Sequence, residues 1–226
     1  VILGVVVDLS KSGSDAQIEN QIRGIEGVTT VKHLTNNQKA IVTGNDYREY
    51  SLSIKNALML GLMQAGIRVR DIGPALSPMA YFAQFYLDAP AVAMVTASHN
   101  PNGWTGVKMG FERPLTHGPD EMAELRDIVL EGRGVARPGG TYEFVEGVRE
   151  AYLDDLVGSF KMTRPLKVVC ATGNGTASAF APELLRRMGV EIVESHNTLD
   201  YTFPHYNPNP EAMEMLHDMS GSVKAS

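Results

Sequence analysis

The residues with chemical potential are concentrated in one short stretch. An apolar run, Ala91 to Val95, breaks into Thr96-Ala97-Ser98-His99-Asn100-Pro101-Asn102-Gly103, a cluster of turn formers. The run has the length and composition of a buried strand, so Ser98 sits at the mouth of a strand with its hydroxyl free to face solvent or substrate. Lys108 follows after a second glycine, Gly106. A serine hydroxyl is a weak nucleophile and needs a nearby proton acceptor, or a charge that stabilises its reacted form. Here hydroxyl, imidazole (His99), amide (Asn100) and ammonium (Lys108) lie close along the chain. Two readings stand side by side: a polar loop with Ser98 as a helix cap, or a hydroxyl that takes up and passes on a chemical group. A serine hydrolase is excluded, because the Gly-x-Ser-x-Gly elbow is missing.

Other candidates are weaker. Gly44-Asn45-Asp46-Tyr47-Arg48 reads as a strand-to-helix turn; on a structural reading Asp46 caps the helix and Arg48 is solvated or structurally paired. Gly173-Asn174-Gly175-Thr176-Ala177 has the form of a phosphate nest, but a lone Gly-x-Gly more often serves the fold. His196, His205 and His217 have no metal-ligand spacing with one another.

These residues need a frame. Residues 1–37 read as strand, helix and strand, with Ile18, Ile22 and Ile25 on one helical face. From Gln38 onward strands and helices alternate: Ile41-Val42 as a strand, the turn Gly44-Asn45-Asp46, and a helix from Ser51 to Ala65 with Leu52, Ala57, Leu58, Leu62 and Met63 inward. A strand at Ile67 to Ile72, a helix at Met79 to Leu87 and the strand before Ser98 complete this part. A helix opened by Pro119-Asp120-Glu121 ends at Gly132, and Arg133 to Gly140 read as an exposed, flexible connection. Tyr142, Val145, Val148, Tyr152, Leu156 and Val157 recur at helical spacing, which predicts one helix from Thr141 to Phe160. Strand, glycine turn, helix and strand follow, then a proline-rich loop, Pro204 to Pro210, and a helix from Glu211 to Met219. Short connections between alternating units imply α/β architecture, a layered sheet flanked by helices. The organisation predicted is a βαβ segment at 1–37 of divergent or appended character, a first domain at 38–140, and a second, incomplete one at 141–226.

Composition narrows the classes. The 226 residues are 43% hydrophobic and 20% charged, an ordinary globular balance. A formal charge of -6 argues against non-specific nucleic-acid binding. Cys170 is the one cysteine, which excludes a disulfide framework and fits a reducing compartment, so a cytoplasmic location is expected. No apolar run is long enough to cross a bilayer, and no membrane partner is expected.

TASHNP followed by Gly-x-Lys resembles the active-site loop of the α-D-phosphohexomutases, the phosphomannomutase and phosphoglucomutase family. Gly44 to Arg48 resembles that family's Gly-x-Asp-x-Arg turn, and the Gly-Asn-Gly turn and the 204–210 loop are also similar to it. One departure is local: Thr105-Gly106 stands where the family usually has Asn-Gly. The resemblance runs from Lys39 to Met219 and implies a mixed sheet, with the chain representing the N-terminal part of a longer enzyme and inactive alone. It implies a phosphosugar mutase that moves phosphate between the 1- and 6-positions of a hexose through phospho-Ser98 and a bisphosphate intermediate. Lys108 would be a proton shuttle or electrostatic partner, His99 and Asn100 would orient substrate and phosphate, and Arg48, counted with Asn100 among the substrate-binding residues, would help hold the loops around the phosphate. Mg²⁺, bound through the Ser98 phosphate, and hexose 1,6-bisphosphate as activator are the implied cofactors; the family's metal-binding carboxylate run is absent from this sequence. The alternative is a catalytically silent binding or regulatory module with an ACT-like N-terminal segment. Oligomeric state and mannose-versus-glucose preference are not encoded in these motifs.

Overall fold

The computed structural model describes residues 40–111, 113 and 116–226. The segment expected at 1–37 lies outside the described residues. The first layer is a five-stranded sheet of β1 (Ala40–Asn45), β2 (Arg68–Pro74), β3 (Ala91–Val95), β4 (Val107–Phe111) and β5 (Thr141–Phe144), in the order β4-β3-β1-β2-β5. β1 is central, parallel to β2 and β3; β5 runs parallel to β2, and β4 antiparallel to β3. The sheet is therefore mixed, as the resemblance implied. Covered on both faces, β1 is buried at every position, which is why it reads as a short uninterrupted run rather than an alternation.

Helices α1 (Ser51–Gln64), α2 (Ser77–Tyr86), α3 (Pro119–Leu130) and α4 (Val148–Ser159) connect and flank these strands. One core gathers Ala40, Val42, Ile72, Val92 and Met94 from the sheet with Met79, Ala80 and Ala83 from α2, and Val148 and Phe180 close it. The alanines on α2 let its backbone settle near the sheet. On the opposite face Ile41, Val69 and Ala93 meet Met59 of α1.

A second, two-stranded parallel sheet pairs β6 (Lys167–Ala171) with β7 (Glu191–Ser195). A 3₁₀ turn (Thr176–Ala179) and α5 (Ala181–Arg187) cross between them, and α6 (Met213–Ala225) packs on β6.

The structure corrects several expectations. Residues 141–160 are not one helix: Thr141–Phe144 is an edge strand, and the helix begins only at Val148. Tyr142 and Val145 fit a helical spacing, but pairing with β2 satisfies that backbone first. The first sheet consequently extends to Phe144, past residue 140. β1 continues through Gly44 and Asn45, where a turn was expected. On α1 the buried positions are Ser51, Lys55 and Met59, while Leu52 is 53% exposed. Polar partners drive that rotation: Lys55 Nζ reaches both Asp71 oxygens, at 2.7 and 3.0 Å, inside the sheet–helix layer. The 131–140 connection is pinned, since Arg137 N–H donates to Gln64 O (2.8 Å) and Gly140 lies against the Met63 backbone.

Candidate active site

Register assembles the site. In the parallel β1/β3 pair Asn45 stands opposite Val95, so the residues that follow, Asp46–Arg48 and Thr96–Asn100, leave the sheet side by side at one edge. Carboxyl ends of adjacent strands are where open α/β sheets gather ligands. The antiparallel pairing of β4 sets Lys108 opposite Met94 and so points it to the same face.

Asp46 and Arg48 form a buried hub, 4% and 6% exposed. Arg48 Nη1 meets Asp46 Oδ2 at 2.5 Å, and Nη2 donates to the carbonyls of Ser98 (3.2 Å) and Asn100 (2.7 Å). Asp46 in turn accepts from the Ser51 hydroxyl and from the backbone N–H groups of Arg48 and Ala97, each at 3.2 Å. Burial alone would raise the Asp46 carboxyl, but the Ser51 hydrogen bond, the Arg48 guanidinium and the Arg48 backbone N–H together hold it below its ordinary value. The fork of the guanidinium is what permits one side chain to bridge a carboxylate and two carbonyls.

Ser98 is held in the left-handed region, with φ +57°, and is exposed. A non-glycine residue there costs about 1–2 kcal/mol, so this conformation persists because its surroundings impose it. The Ser98 N–H donates to Thr96 Oγ1 at 3.0 Å, and Oγ lies 3.4 Å from His99 Nδ1. Ser98 opens on a cavity of about 460 Å³ between the two sheets. Asp46, Arg48, Ser77 and Lys108 line it from the first layer, and Thr176, Phe203 and Met215 from the second. Lys108 Nζ is 3.4 Å from Ser77 Oγ. Phe203 places its ring under the Arg48 guanidinium, 5.5 Å from centroid to Cζ.

Of the residues singled out from sequence, the structure brings Ser98, Lys108 and Arg48 to one cavity. The His99 and Asn100 side chains are exposed and are not among its lining; what these residues supply to the hub and the second sheet is their carbonyls. Asp46 is not a helix cap: α1 is preceded by Tyr50 and has no side-chain cap bond. The Gly173 turn serves the fold. Gly173 has φ +57°, and an added Cβ would stand 2.9 Å from the Tyr206 ring. Asn174 Nδ2 donates to Thr198 O at 2.7 Å. Sequence reasoning passed over Ser77 and Phe203, which carry no local motif, and placed Ser51 only at a helix start and Thr176 only in the glycine turn; tertiary packing brings Ser77, Thr176 and Phe203 to the cavity and Ser51 to Asp46.

The described residues do not by themselves make a metal centre. Among the described residues no group of three or more His, Cys, Asp or Glu side chains could hold an ion. Asp46, the carboxylate at the cavity, already accepts from Ser51, Arg48 and Ala97.

Comparison with known proteins covers most of the chain. The family model for phosphoglucomutase/phosphomannomutase alpha/beta/alpha domain I matches residues 15–134, and that for domain II matches residues 150–226. A phosphomannomutase of Salmonella typhimurium is 36% identical over 199 residues, covering 82% of this chain and 43% of the relative. A phosphoglucomutase of Neisseria gonorrhoeae is 32% identical over 186 residues, covering 81% and 40%. The crystal structure of a phosphoglucomutase/phosphomannomutase family protein from Burkholderia thailandensis superposes with a TM-score of 0.77 at 29% identity, covering 96% of this chain and 48% of that one. The chain thus spans less than half the length of these relatives.

Proposed function

On the premise that the chain belongs to the phosphoglucomutase/phosphomannomutase family, we propose that it supplies the phosphoryl-carrying part of a phosphohexomutase, with Ser98 as the carrier. The observation that carries the reading is the strained, exposed Ser98 at the lip of a cavity it shares with Lys108. Backbone strain held by a buried ion pair is a feature of preorganised sites, and phosphoryl transfer depends mainly on positioning and charge neutralisation.

In the proposed cycle a hydroxyl of a hexose 1- or 6-phosphate attacks the phosphorus of phospho-Ser98. The Oγ–P bond breaks, a new O–P bond forms on the sugar, and the sugar's proton ends on Ser98 Oγ. The resulting bisphosphate reorients, Oγ attacks the other phosphate, and the proton returns to the sugar oxygen that is released. Lys108 faces the phosphate and either offsets its charge or shuttles that proton. Phosphoserine carries between one and two negative charges near neutral pH, and Lys108 is the lysine of the described residues that lines the cavity. Arg48 contributes by holding the loop. His99 is proposed to orient the phosphate through its Nδ1 beside Oγ, and Asn100 the substrate. Mg²⁺ and hexose 1,6-bisphosphate belong to the proposal without ligands assigned to them on the described residues, and no step is routed through them. The family membership does not favour a catalytically silent module.

The test is carried out on the protein at its full natural length. After incubation with hexose 1,6-bisphosphate, intact mass should show one phosphoryl adduct that is lost in Ser98→Ala. Coupled assays with glucose 1-phosphate and mannose 1-phosphate, Mg²⁺ supplied, should show turnover that the same substitution abolishes. An unphosphorylated, inactive protein overturns the proposal.

A further inference from the structure

The loop around Ser98 is exposed from Ser98 through Gly106, so apolar packing cannot be what holds its left-handed turn. Hydrogen bonds do that, and their sources are unequal. Arg48 takes the carbonyls of Ser98 and Asn100. The carbonyl between them, that of His99, accepts instead from Asn207 Nδ2 at 2.8 Å, across the boundary between the two sheets. Three successive carbonyls are thereby captured by two side chains, one from each layer.

Asn207 is well placed for this. It sits in Pro204-His205-Tyr206-Asn207-Pro208-Asn209-Pro210, where the prolines fix φ. Tyr206 is buried beside it, 6% exposed, and Asn209 N–H donates to Asn207 O at 2.6 Å. The amide orientation is determined by its partners. Turned over, Oδ1 would face the His99 oxygen, two acceptors in contact. As placed, Oδ1 is buried without a hydrogen bond among the described residues. An unsatisfied buried oxygen is unfavourable, so the donor directed at His99 O is the contact that this side chain is arranged to make. A second tie, Asn102 Nδ2 to Tyr201 O at 2.6 Å, anchors the far side of the same loop to the same layer.

We propose that Asn207 is a positioning residue for the serine loop, coupling the placement of the second layer to the backbone of Ser98. The contact is independent of the phosphoserine reading; its consequence for transfer rests on that reading. With Asn207 engaged, the Ser98–His99–Asn100 peptides cannot rotate, and Oγ keeps its direction into the cavity. When the second layer shifts, His99 O is released first, because its partner belongs to that layer.

Trp104, the single tryptophan of this sequence, lies in this loop and is 64% exposed, which provides a direct probe. Asn207→Asp removes the donor at constant shape, and Asn207→Ala removes the side chain. Asn209→Ala in the same proline loop is the control, since among the described residues Asn209 Oδ1 accepts only from the Glu211 N–H. Loss of a hydrogen bond of ordinary strength should raise amide exchange over residues 97–103 about 3- to 10-fold, with acrylamide quenching of Trp104 rising in step. Both Asn207 variants should show this, and Asn209→Ala should not. Exchange and quenching unchanged in both Asn207 variants would overturn the proposal. So would equal acceleration across β1, β3 and β6, which would make Asn207 a general stability residue. Neither measurement requires Ser98 to carry phosphate, so failure here and failure of the mutase reading are separable.

Discussion

Replacing Arg48 with methionine removes the charge that faces Asp46 and keeps most of the side-chain volume. Both groups are at least nine-tenths buried, and breaking a buried ion pair by deleting one partner costs about 3–5 kcal/mol. Asp46 would keep the Ser51 hydroxyl and the Ala97 and Arg48 backbone N–H groups. That residual solvation places the expected loss near the lower end, about 3 kcal/mol, or roughly 6–12 °C in Tm for a domain of this size. Arg48→Lys should lose about half as much, because an ammonium keeps the charge without the fork that reaches Ser98 O and Asn100 O. The sign of the pH dependence follows from Asp46. Its carboxyl is lowered in the folded protein, so it contributes stability above the ordinary aspartate range, near pH 4, that is lost as pH falls through the folded value. Without Arg48, burial pushes that carboxyl up relative to wild type, and protonation relieves the unpaired charge. The gap between wild type and Arg48→Met, read by urea denaturation, should therefore be full at pH 7 and narrow below about pH 4. A loss under about 1 kcal/mol at pH 7, or a gap that widens in acid, refutes the view of Asp46–Arg48 as the hub of the loop.

Further outcomes follow from the same structure. Ser98→Gly relieves the left-handed strain at the expense of chain entropy, so its unfolding free energy from urea denaturation should match or exceed that of wild type by up to about 1 kcal/mol, while any phosphoryl adduct disappears; Ser98→Ala removes the adduct without that gain. Lys55→Met leaves the buried Asp71 carboxylate, among the described residues, with only the Gly73 N–H and the Tyr142 hydroxyl, and should lose about 3–5 kcal/mol by denaturant unfolding, partly restored by Asp71→Asn. Gly140→Ala would bring a Cβ 1.9 Å from the Met63 carbonyl oxygen and should destabilise by about 3 kcal/mol or more in thermal unfolding. Gly134→Ala, with open space around it, should stay within about 0.5 kcal/mol of wild type.

Much of this protein is written locally. The Ala91–Val95 run followed by a dense cluster of turn formers specifies a strand that ends abruptly, because apolar β-compatible residues bury while Asn, Pro and Gly bend the chain. That pattern located Ser98 and, with Gly106, Lys108. Tertiary structure decided what local pattern could not. Helical spacing across 141–157 fits a helix, yet residues 141–144 pair with β2 because an open sheet edge supplies hydrogen-bond partners at once. Leu52 looks inward on a helical wheel, but the buried Lys55–Asp71 pair fixes the rotation of α1, since an unpaired buried charge costs more than an exposed leucine. The roles of Asp46, Arg48 and Asn207 arise from contacts between residues about 50 to 110 positions apart, a distance at which chain proximity carries no information. Residue types alone named the hydroxyl and the ammonium; only strand register and the meeting of two sheets determined which side chains hold that hydroxyl in place.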